Sequence, residues 1–290
     1  MFPMTDDPIS SDAAISVRSL TKRYGKGVAV DDLDLEVRRG EVFSLLGPNG
    51  AGKTTTVEIL EGYRSRDDGE VSVLGADPGR PPRGWRSRIG IVLQSVNDAA
   101  ELTVEEMVSH FACYYPDPRD PGEVIDLVGL TGKRKARTRE LSGGQRRRLD
   151  VALGILGRPE LLFLDEPTTG FDPEARRQFW GLIRQLNDEN TTILLTTHYL
   201  EEAEALADRV AVVSAGRILA VESPSRLGGR DRAQATVNWI GPGGVESCRT
   251  DTPTLVVAQL SERFAGEVPG LVVRRPTLED VYLTMIGAAQ

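Results

Sequence analysis

Short apolar runs alternate with amphipathic stretches along most of the chain. Apolar and polar positions alternate around Ile15 and Val17 and again over residues 33–37, which is typical of strands with one buried face. Continuous apolar runs follow at residues 41–46, 89–93, 161–164 and 193–195. Because helical patterns such as residues 173–186 separate these runs, the sequence predicts an α/β fold with a mostly parallel sheet whose strands are buried on both faces.

The pattern becomes mostly helical between residues 95 and 156. Thr103 followed by Glu106 has the spacing of a capping box, which predicts that a helix begins there. We interpret residues 95–156 as a helical subdomain inserted into the α/β core. Two basic stretches within it, residues 133–139 and 146–148, are expected to form solvated faces.

The two ends of the chain differ in composition from its centre. Residues 1–13 combine acidic residues with prolines and serines and are expected to form a flexible tail. Residues 14–222 are predicted to form the main domain, closed by a hairpin over residues 210–221. Glycine clusters after Ser223 mark a boundary, and residues 223–290 are predicted to form a small α/β accessory domain in the order strand, helix, strand, helix.

The composition excludes several kinds of site. The 290 residues include 35 Lys+Arg and 43 Asp+Glu, and the resulting net charge of −8 argues against binding along a nucleic-acid backbone. With only two cysteines and two histidines, the chain cannot hold a disulfide framework or a Cys-rich or His-rich metal centre. No apolar run approaches the roughly 18 residues of a membrane-spanning helix, and the first residues lack the pattern of a secretory signal. A cytoplasmic location is therefore expected, unless a partner holds the protein at a membrane.

A phosphate-binding loop is predicted directly after the apolar run at residues 41–46. Residues 47–54 match the pattern G-x-x-x-x-G-K-[ST], in which glycines let backbone N–H groups close around phosphate oxygens at a helix N-terminus. Lys53 can reach the β- and γ-phosphates, and the hydroxyl of Thr54 can ligate Mg²⁺. The residues expected to contact the nucleotide are Gly47, Pro48, Asn49, Gly50, Ala51, Gly52, Lys53, Thr54 and Thr55.

Two adjacent carboxylates end the apolar run at residues 161–164. Successive strand residues point in opposite directions, so Asp165 and Glu166 can take different roles. Asp165 would hold Mg²⁺ through water, and Glu166 would polarise the attacking water as the general base. Without the phosphate loop, an Asp-Glu pair before Pro167 would equally well be a turn signal.

A pentapeptide in the helical region identifies a family. Leu-Ser-Gly-Gly-Gln is expected by chance in fewer than roughly one in a thousand chains of this length; here it comprises Leu141, Ser142, Gly143, Gly144 and Gln145. The ordered set of the phosphate loop, Gln94, this pentapeptide, Asp165, Glu166, Asp172 and His198 resembles the nucleotide-binding subunit of ATP-binding cassette (ABC) transporters over residues 14–222. The resemblance implies a P-loop NTPase core that hydrolyses ATP with Mg²⁺.

The resemblance implies that the pentapeptide acts in trans. In that family it lies at a helix N-terminus and contacts the γ-phosphate held by the opposite subunit. Small residues at a helix start offer backbone and hydroxyl donors to an anion without steric obstruction. Because the chain has one phosphate loop and one pentapeptide, the implied assembly is a homodimer that sandwiches two ATP molecules.

The resemblance also implies roles for two residues that do not take part in hydrolysis. Tyr24 matches the aromatic residue that stacks on adenine; the alternative is an aromatic side chain on the solvent side of a turn. Asp172 matches the loop that signals between the two nucleotide sites. This chain has Phe171 where the family usually has leucine, which keeps an apolar contact.

The hydrolytic set implied by the resemblance has three members. His198 matches the histidine that contacts the γ-phosphate, and Gln94 matches the glutamine that senses Mg²⁺ and the membrane subunit. Together with Glu166 they form the expected catalytic group. The implied Mg²⁺ contacts are Thr54, Gln94 and Asp165, the last through water.

Two stretches resemble the ATPase subunits of daunorubicin-type bacterial drug exporters, residues 198–204 and 276–283. This finer resemblance implies a separate multi-span permease, driven through the helical subdomain from the cytoplasmic face of the membrane. Exporters of lipids or polysaccharides carry similar cores and stay an alternative. A soluble ABC ATPase acting on ribosomes or DNA usually has two cassettes or a coiled-coil insert, and a kinase-like P-loop enzyme would leave the pentapeptide unexplained.

Overall fold

The computed structural model describes residues 13–92 and 101–288, and contacts divide the chain into two units, Met1–Val221 and Glu222–Gln290. The strands of the first unit are β1 (Ala13–Tyr24), β2 (Gly27–Arg38), β3 (Val42–Leu46), β4 (Asp68–Val73), β5 (Ile89–Val92), β6 (Leu161–Asp165), β7 (Thr192–Thr197), β8 (Arg209–Ser214) and β9 (Arg217–Glu222). Its helices are α1 (Lys53–Leu60), α2 (Val104–Ala112), α3 (Pro121–Leu127), α4 (Gly143–Ile155), α5 (Pro173–Asp188) and α6 (Leu200–Leu206).

The central sheet has six strands in the order β5-β6-β7-β3-β8-β9. The pairs from β5 through β8 are parallel, as the sequence predicts, and every residue of β3, β6 and β7 is buried. Alternation along β6 sends Leu161 and Phe163 into one hydrophobic core and Leu162 and Leu164 into the other. Such burial on both faces explains why these strands are continuous apolar runs.

The two cores lie on opposite faces of this sheet. One contains side chains of α1 and of a three-stranded antiparallel sheet in the order β2-β1-β4. The other contains side chains of α2, α3, α4 and α5. The parallel sheet is therefore the middle layer of the unit and holds the carboxyl ends of its strands at one edge.

Local signals place several elements where the sequence predicts them. The capping box is confirmed, because the Glu106 N–H donates to Thr103 Oγ1 over 3.2 Å and the Thr103 N–H donates to Glu106 Oε2 over 2.9 Å. The predicted hairpin is confirmed as β8 and β9. Its turn residues Ala215 and Gly216 have φ values of 48° and 79°, the left-handed conformation that a tight hairpin needs. Residues 1–12 and 95–100, which include most of the expected tail and the start of the expected helical subdomain, lie outside the described residues.

The second unit contains one more strand than the sequence predicts. Its strands β10 (Ala235–Gly241), β11 (Gly244–Thr250) and β12 (Val272–Arg274) form an antiparallel sheet in the order β11-β10-β12, with helices α7 (Pro253–Arg263) and α8 (Leu278–Ala288). The expected order of strand, helix, strand, helix is thus wrong by the omission of β11. The reason is its weak pattern: Val245 and Cys248 stand on opposite faces of the strand, so no apolar alternation marks it. Leu260 of α7 packs against Val237, Trp239 and Val268 in the core of this unit.

Within residues 13–92 and 101–288, no helix combines the length and the apolar character that crossing a membrane requires.

The buried middle layer predicts a sharp difference between two leucine truncations. Leu162 is fully buried in β6, whereas Leu219 of β9 keeps 39% of its surface exposed. We expect Leu162→Ala to lower the free energy of unfolding by about 2–5 kcal/mol, because it opens a cavity in a close-packed core. Leu219→Ala, the matched control, is expected to cost less than about 1 kcal/mol. Urea unfolding followed by intrinsic fluorescence measures the free energy of unfolding of both variants. Equal losses of stability would contradict the difference in burial between Leu162 and Leu219.

Candidate functional site

The predicted phosphate loop connects β3 to the N-terminus of α1. Gly50 and Gly52 have φ values of 78° and 100°, a left-handed conformation that glycine adopts without strain. A Cβ on Gly52 would lie 2.3 Å from the carbonyl oxygen of Ala29, and a Cβ on Gly47 would lie 2.4 Å from that of Val213. These two glycines are therefore required by close backbone approaches within the chain itself.

Lys53 begins α1 and its ammonium group lies over the loop. The side chain is nearly buried, and Nζ donates to the carbonyl oxygens of Gly47 over 2.8 Å and Pro48 over 3.1 Å. Burial lowers the pKa of Lys53, while the carboxylates of Glu166 and Asp165 act in the opposite direction. The loop thus holds the Lys53 ammonium group close to the carboxylates of Glu166 and Asp165. The ammonium group can neutralise part of the charge of a phosphate ligand.

Asp165, the last residue of β6, faces the start of α1. Its Oδ1 accepts a hydrogen bond from Thr196 Oγ1 over 2.5 Å, and its Oδ2 accepts one from Thr54 Oγ1 over 3.4 Å. The structure therefore brings together two of the three expected Mg²⁺ contacts, and both offer the oxygen ligands that Mg²⁺ prefers. Within the described part of the chain, no group of three or more His, Cys, Asp or Glu side chains forms a metal cage. The donor set fits an ion that takes its other ligands from water and phosphate.

Glu166 is held in an unusual backbone conformation. Its φ of 46° lies in the left-handed region, which costs a non-glycine residue on the order of 1–2 kcal/mol. Its N–H donates to both the carbonyl oxygen and the Oγ1 of Thr196, over 3.2 and 3.0 Å. The carboxylate accepts a hydrogen bond from Thr169 Oγ1 over 3.3 Å, and its Oε1 lies 3.2 Å from Nδ1 of His198. The expected general base and the expected γ-phosphate contact are thus neighbours.

Lys53, Thr54 and Glu166 line one cavity of about 510 Å³, a volume typical of small-molecule sites. Asp165 and His198 contact its lining residues Thr54 and Glu166. Its lining residues are Tyr24, Ala29, Asn49, Gly50, Ala51, Gly52, Lys53, Thr54, Thr55 and Glu166. Tyr24, at the end of β1, is 44% exposed, so its ring offers a face for stacking. Lys22 Nζ and Arg64 Cζ lie 5.6 and 5.4 Å from the centroid of that ring.

The pentapeptide is not among the residues that line this cavity. Ser142 caps α4: its Oγ accepts from the Gln145 N–H over 3.3 Å, and Gln145 Oε1 accepts from the Ser142 N–H over 3.1 Å. Leu141 is buried, whereas Ser142 and Gly143 are exposed. Among the described atoms, nothing lies within 4 Å of a Cβ built on Gly143, and only the Phe171 ring, at 3.9 Å, approaches one built on Gly144. The chain's own packing does not require glycine at either position.

The structure gives Asp172 a local role and leaves Gln94 outside the described residues. Asp172 caps α5 by accepting hydrogen bonds from the N–H groups of Glu174 and Ala175 over 3.0 and 2.8 Å. Phe171 keeps the expected apolar contact, packing edge-on against Phe179 with 5.7 Å between ring centroids.

The sequence does not predict the burial of several charged residues near the site. Arg147 is only 7% exposed, so the expectation that residues 146–148 form a solvated face is wrong for this residue. Glu61 is also buried, and burial together with the neighbouring carboxylates Asp165 and Glu58 raises its pKa to about 8. Glu202 is fully buried, and burial raises its pKa too. Charge and spacing in the sequence give no sign of this burial, because tertiary packing produces it.

Comparisons with known proteins agree with this geometry. The ABC transporter family profile matches residues 30–169. The Nod factor export ATP-binding protein I of Ralstonia nicotianae is 39% identical, covering 96% of this chain and 95% of that protein. The daunorubicin resistance ATP-binding protein DrrA3 of Streptomyces coeruleorubidus is 38% identical, covering 96% of this chain and 97% of that protein.

Solved structures give the same fold. The structure of cbiO1 from Clostridium perfringens, part of an ABC transporter complex, is 28% identical with a TM-score of 0.67, covering 74% of this chain and 90% of that chain. The dimeric ABC transporter cassette MJ0796 has a TM-score of 0.65 at 24% identity, covering 72% of this chain and 98% of that chain, which supports the fold only.

The P-loop NTPase fold and the ABC resemblance expected from the sequence are therefore confirmed. Similarity at this level over nearly the whole chain establishes that the protein belongs to the ABC transporter family, in which it is an ATP-binding and ATP-hydrolysing subunit.

Proposed function

We propose that two copies of this ATPase close around two ATP molecules and drive a separate membrane permease that exports a small drug-like molecule. The observation that carries the proposal is the shared cavity, in which Lys53, Thr54 and Glu166 meet beside Asp165 and His198. The proposed location is the cytoplasmic face of the membrane, where the permease would hold the pair.

The residues of the phosphate loop and the residues beside it have distinct roles in the proposed reaction. The loop N–H groups and Lys53 would hold the phosphates. Thr54, and Asp165 through water, would hold Mg²⁺, which would supply positive charge to the phosphate groups. Glu166 orients and polarises the attacking water, with its carboxylate fixed by Thr169 and by the neighbouring imidazole of His198. His198 also contacts the γ-phosphate. Tyr24 stacks on adenine, and Gln94 is proposed to complete the catalytic and Mg²⁺ contacts.

Action of the pentapeptide in trans is supported by the two kinds of glycine in the chain. Gly47 and Gly52 are needed by the chain's own backbone. By contrast, a side chain on Gly143 would face open space, and one on Gly144 would make only ordinary van der Waals contact with the Phe171 ring. Glycine costs the interior of a helix about 1 kcal/mol relative to alanine, and packing within the described chain does not select it at the start of α4. Close approach of a phosphate from a second copy would select glycine there, and the loop at Asp172 is proposed to pass signals between the two sites.

Two observations bear on the proposed cargo: the names of the relatives and the sequence of residues 276–283. The two relatives described above are named for Nod factor export and for daunorubicin resistance, at 39% and 38% identity, so overall similarity does not choose between them. Residues 276–283 resemble the drug-exporter type, and this favours a small drug-like cargo. Export of a Nod-factor-like molecule is the alternative.

Replacement of the general base tests the hydrolytic role. We expect Glu166→Gln to keep ATP binding and to lower turnover at least about 100-fold, because an amide cannot accept the proton of the attacking water. Steady-state phosphate release measures the loss, and size-exclusion chromatography with ATP and Mg²⁺ is expected to show a persistent dimer. Glu70→Gln, which changes an exposed carboxylate of β4, serves as the control. Turnover at the normal rate in Glu166→Gln would remove Glu166 from the base role.

Complementation tests the action in trans. We expect Ser142→Arg to bind ATP normally and to hydrolyse it poorly, because the added bulk obstructs the second copy's phosphate. Lys53→Ala is expected to bind ATP roughly 10–100-fold more weakly, because a charge-assisted hydrogen bond to phosphate is lost. Mixing the two inactive variants builds one composite site with an intact loop and an intact pentapeptide. Phosphate release above the level of either variant is expected, and the absence of any rescue would argue against assembly in trans.

Drug accumulation in the native cell tests the cargo. We expect deletion of the gene to raise cellular daunorubicin fluorescence. Re-expression of the wild-type chain should restore export, and re-expression of Glu166→Gln should not, because export needs hydrolysis. Unchanged accumulation after deletion would favour the alternative cargo while leaving the ATPase assignment intact.

A further inference from the structure

Arg147 connects helix α4 to the strand that carries the two carboxylates. It lies two residues after the pentapeptide and is 7% exposed. Its Nη2 donates to the carbonyl oxygen of Asp165 over 2.6 Å, and its Nε donates to that of Pro167 over 3.2 Å. One rigid guanidinium group therefore holds the carbonyl groups of the residue before and the residue after Glu166.

The contacts of Arg147 surround a strained residue. A left-handed φ at a non-glycine residue persists only where neighbouring contacts determine it. Thr196 anchors the N–H of Glu166. Arg147 anchors the carbonyl oxygens before and after it. Together these contacts fix the direction in which the Glu166 side chain leaves the backbone.

The charge of Arg147 suits this position. Burial lowers its pKa, while the negative charges of Asp150, Asp165, Glu202 and Glu166 act in the opposite direction. Arginine stays protonated in proteins, so both donors remain charge-assisted. Lysine could not reproduce the contact, because its ammonium group is a point donor without the fixed fork.

We propose that Arg147 is a positioning residue that links the pentapeptide on α4 to Glu166 of the same chain. The inference rests on the proposed function, in which the pentapeptide contacts the nucleotide of a second copy. When α4 seats against that nucleotide, Arg147 passes the displacement to the carbonyl groups of residues 165 and 167. Each copy then sets its own general base in response to the nucleotide held by its partner.

Kinetics of two substitutions test the link. We expect Arg147→Gln to lower kcat about 10–100-fold, the effect of losing charge-assisted hydrogen bonds, and to leave the KM for ATP within about two-fold. Arg147→Lys, which can reach one of the two carbonyl groups, should recover part of the lost kcat. Arg148→Gln is the matched control, because Arg148 hydrogen-bonds to the side chain of Gln178 and not to the carboxylate segment. Its kcat should equal that of the wild type.

A second measurement separates positioning from general damage. In the Glu166→Gln background, where closed dimers accumulate, addition of Arg147→Gln should leave the ATP-dependent dimer unchanged on size-exclusion chromatography. Thermal melting verifies that each variant is folded, and if Arg147→Gln does not fold, Arg147→Lys carries the comparison. Wild-type kcat in either folded variant, or loss of the dimer in the folded double variant, would overturn the inference. Failure of Glu166→Gln alone to form the dimer would instead count against the proposed function.

Discussion

The alignment of three parallel strand ends is the constraint on which the site depends. Strand β3 pairs with β7 up to Leu46 opposite Thr197, and β6 pairs with β7 up to Asp165 opposite Thr196. This register brings the phosphate loop, the two carboxylates and His198 to the same edge of the sheet. Ligands of open α/β sheets bind at that edge. Because a parallel sheet needs both faces covered, the two hydrophobic cores that bury it also fix the chemistry at its edge.

Sequence patterns predict the parts of the site that depend on local geometry. The phosphate loop follows from the glycine, lysine and threonine spacing, and the capping box at Thr103 follows from side chains only three residues apart. The burial of Arg147 depends on packing between α4 and β6, residues that are distant in the chain, so a run of three arginines could not reveal it. The left-handed conformation of Glu166 is likewise set by Thr196 and Arg147, and no propensity of glutamate predicts it.

The glycines of the phosphate loop and of the pentapeptide have different surroundings. At Gly52 a side chain would collide with the carbonyl group of Ala29, so the chain's own fold determines the residue. At Gly143 the surroundings are open among the described residues, and glycine only weakens the start of α4. Packing within the described part of the chain therefore does not select glycine at this position. This contrast supports the proposal that the pentapeptide acts on a second copy, whereas the phosphate loop serves its own chain.

The charges behind the phosphate loop explain why a buried arginine is tolerated next to it. Asp165, Glu166 and Glu202 lie near Arg147, and Asp165 also lies near Glu61. Burial is the main cause of the raised pKa of about 8 for Glu61, and the negative charges of Asp165 and Glu58 raise it further. Lys53 faces the phosphate side of these carboxylates, and Arg147 faces the α4 side. Removing either cation leaves buried carboxylates without compensation, a strongly unfavourable state. Arg147 can therefore couple α4 to the site because the electrostatics of the carboxylates already hold its guanidinium group in place.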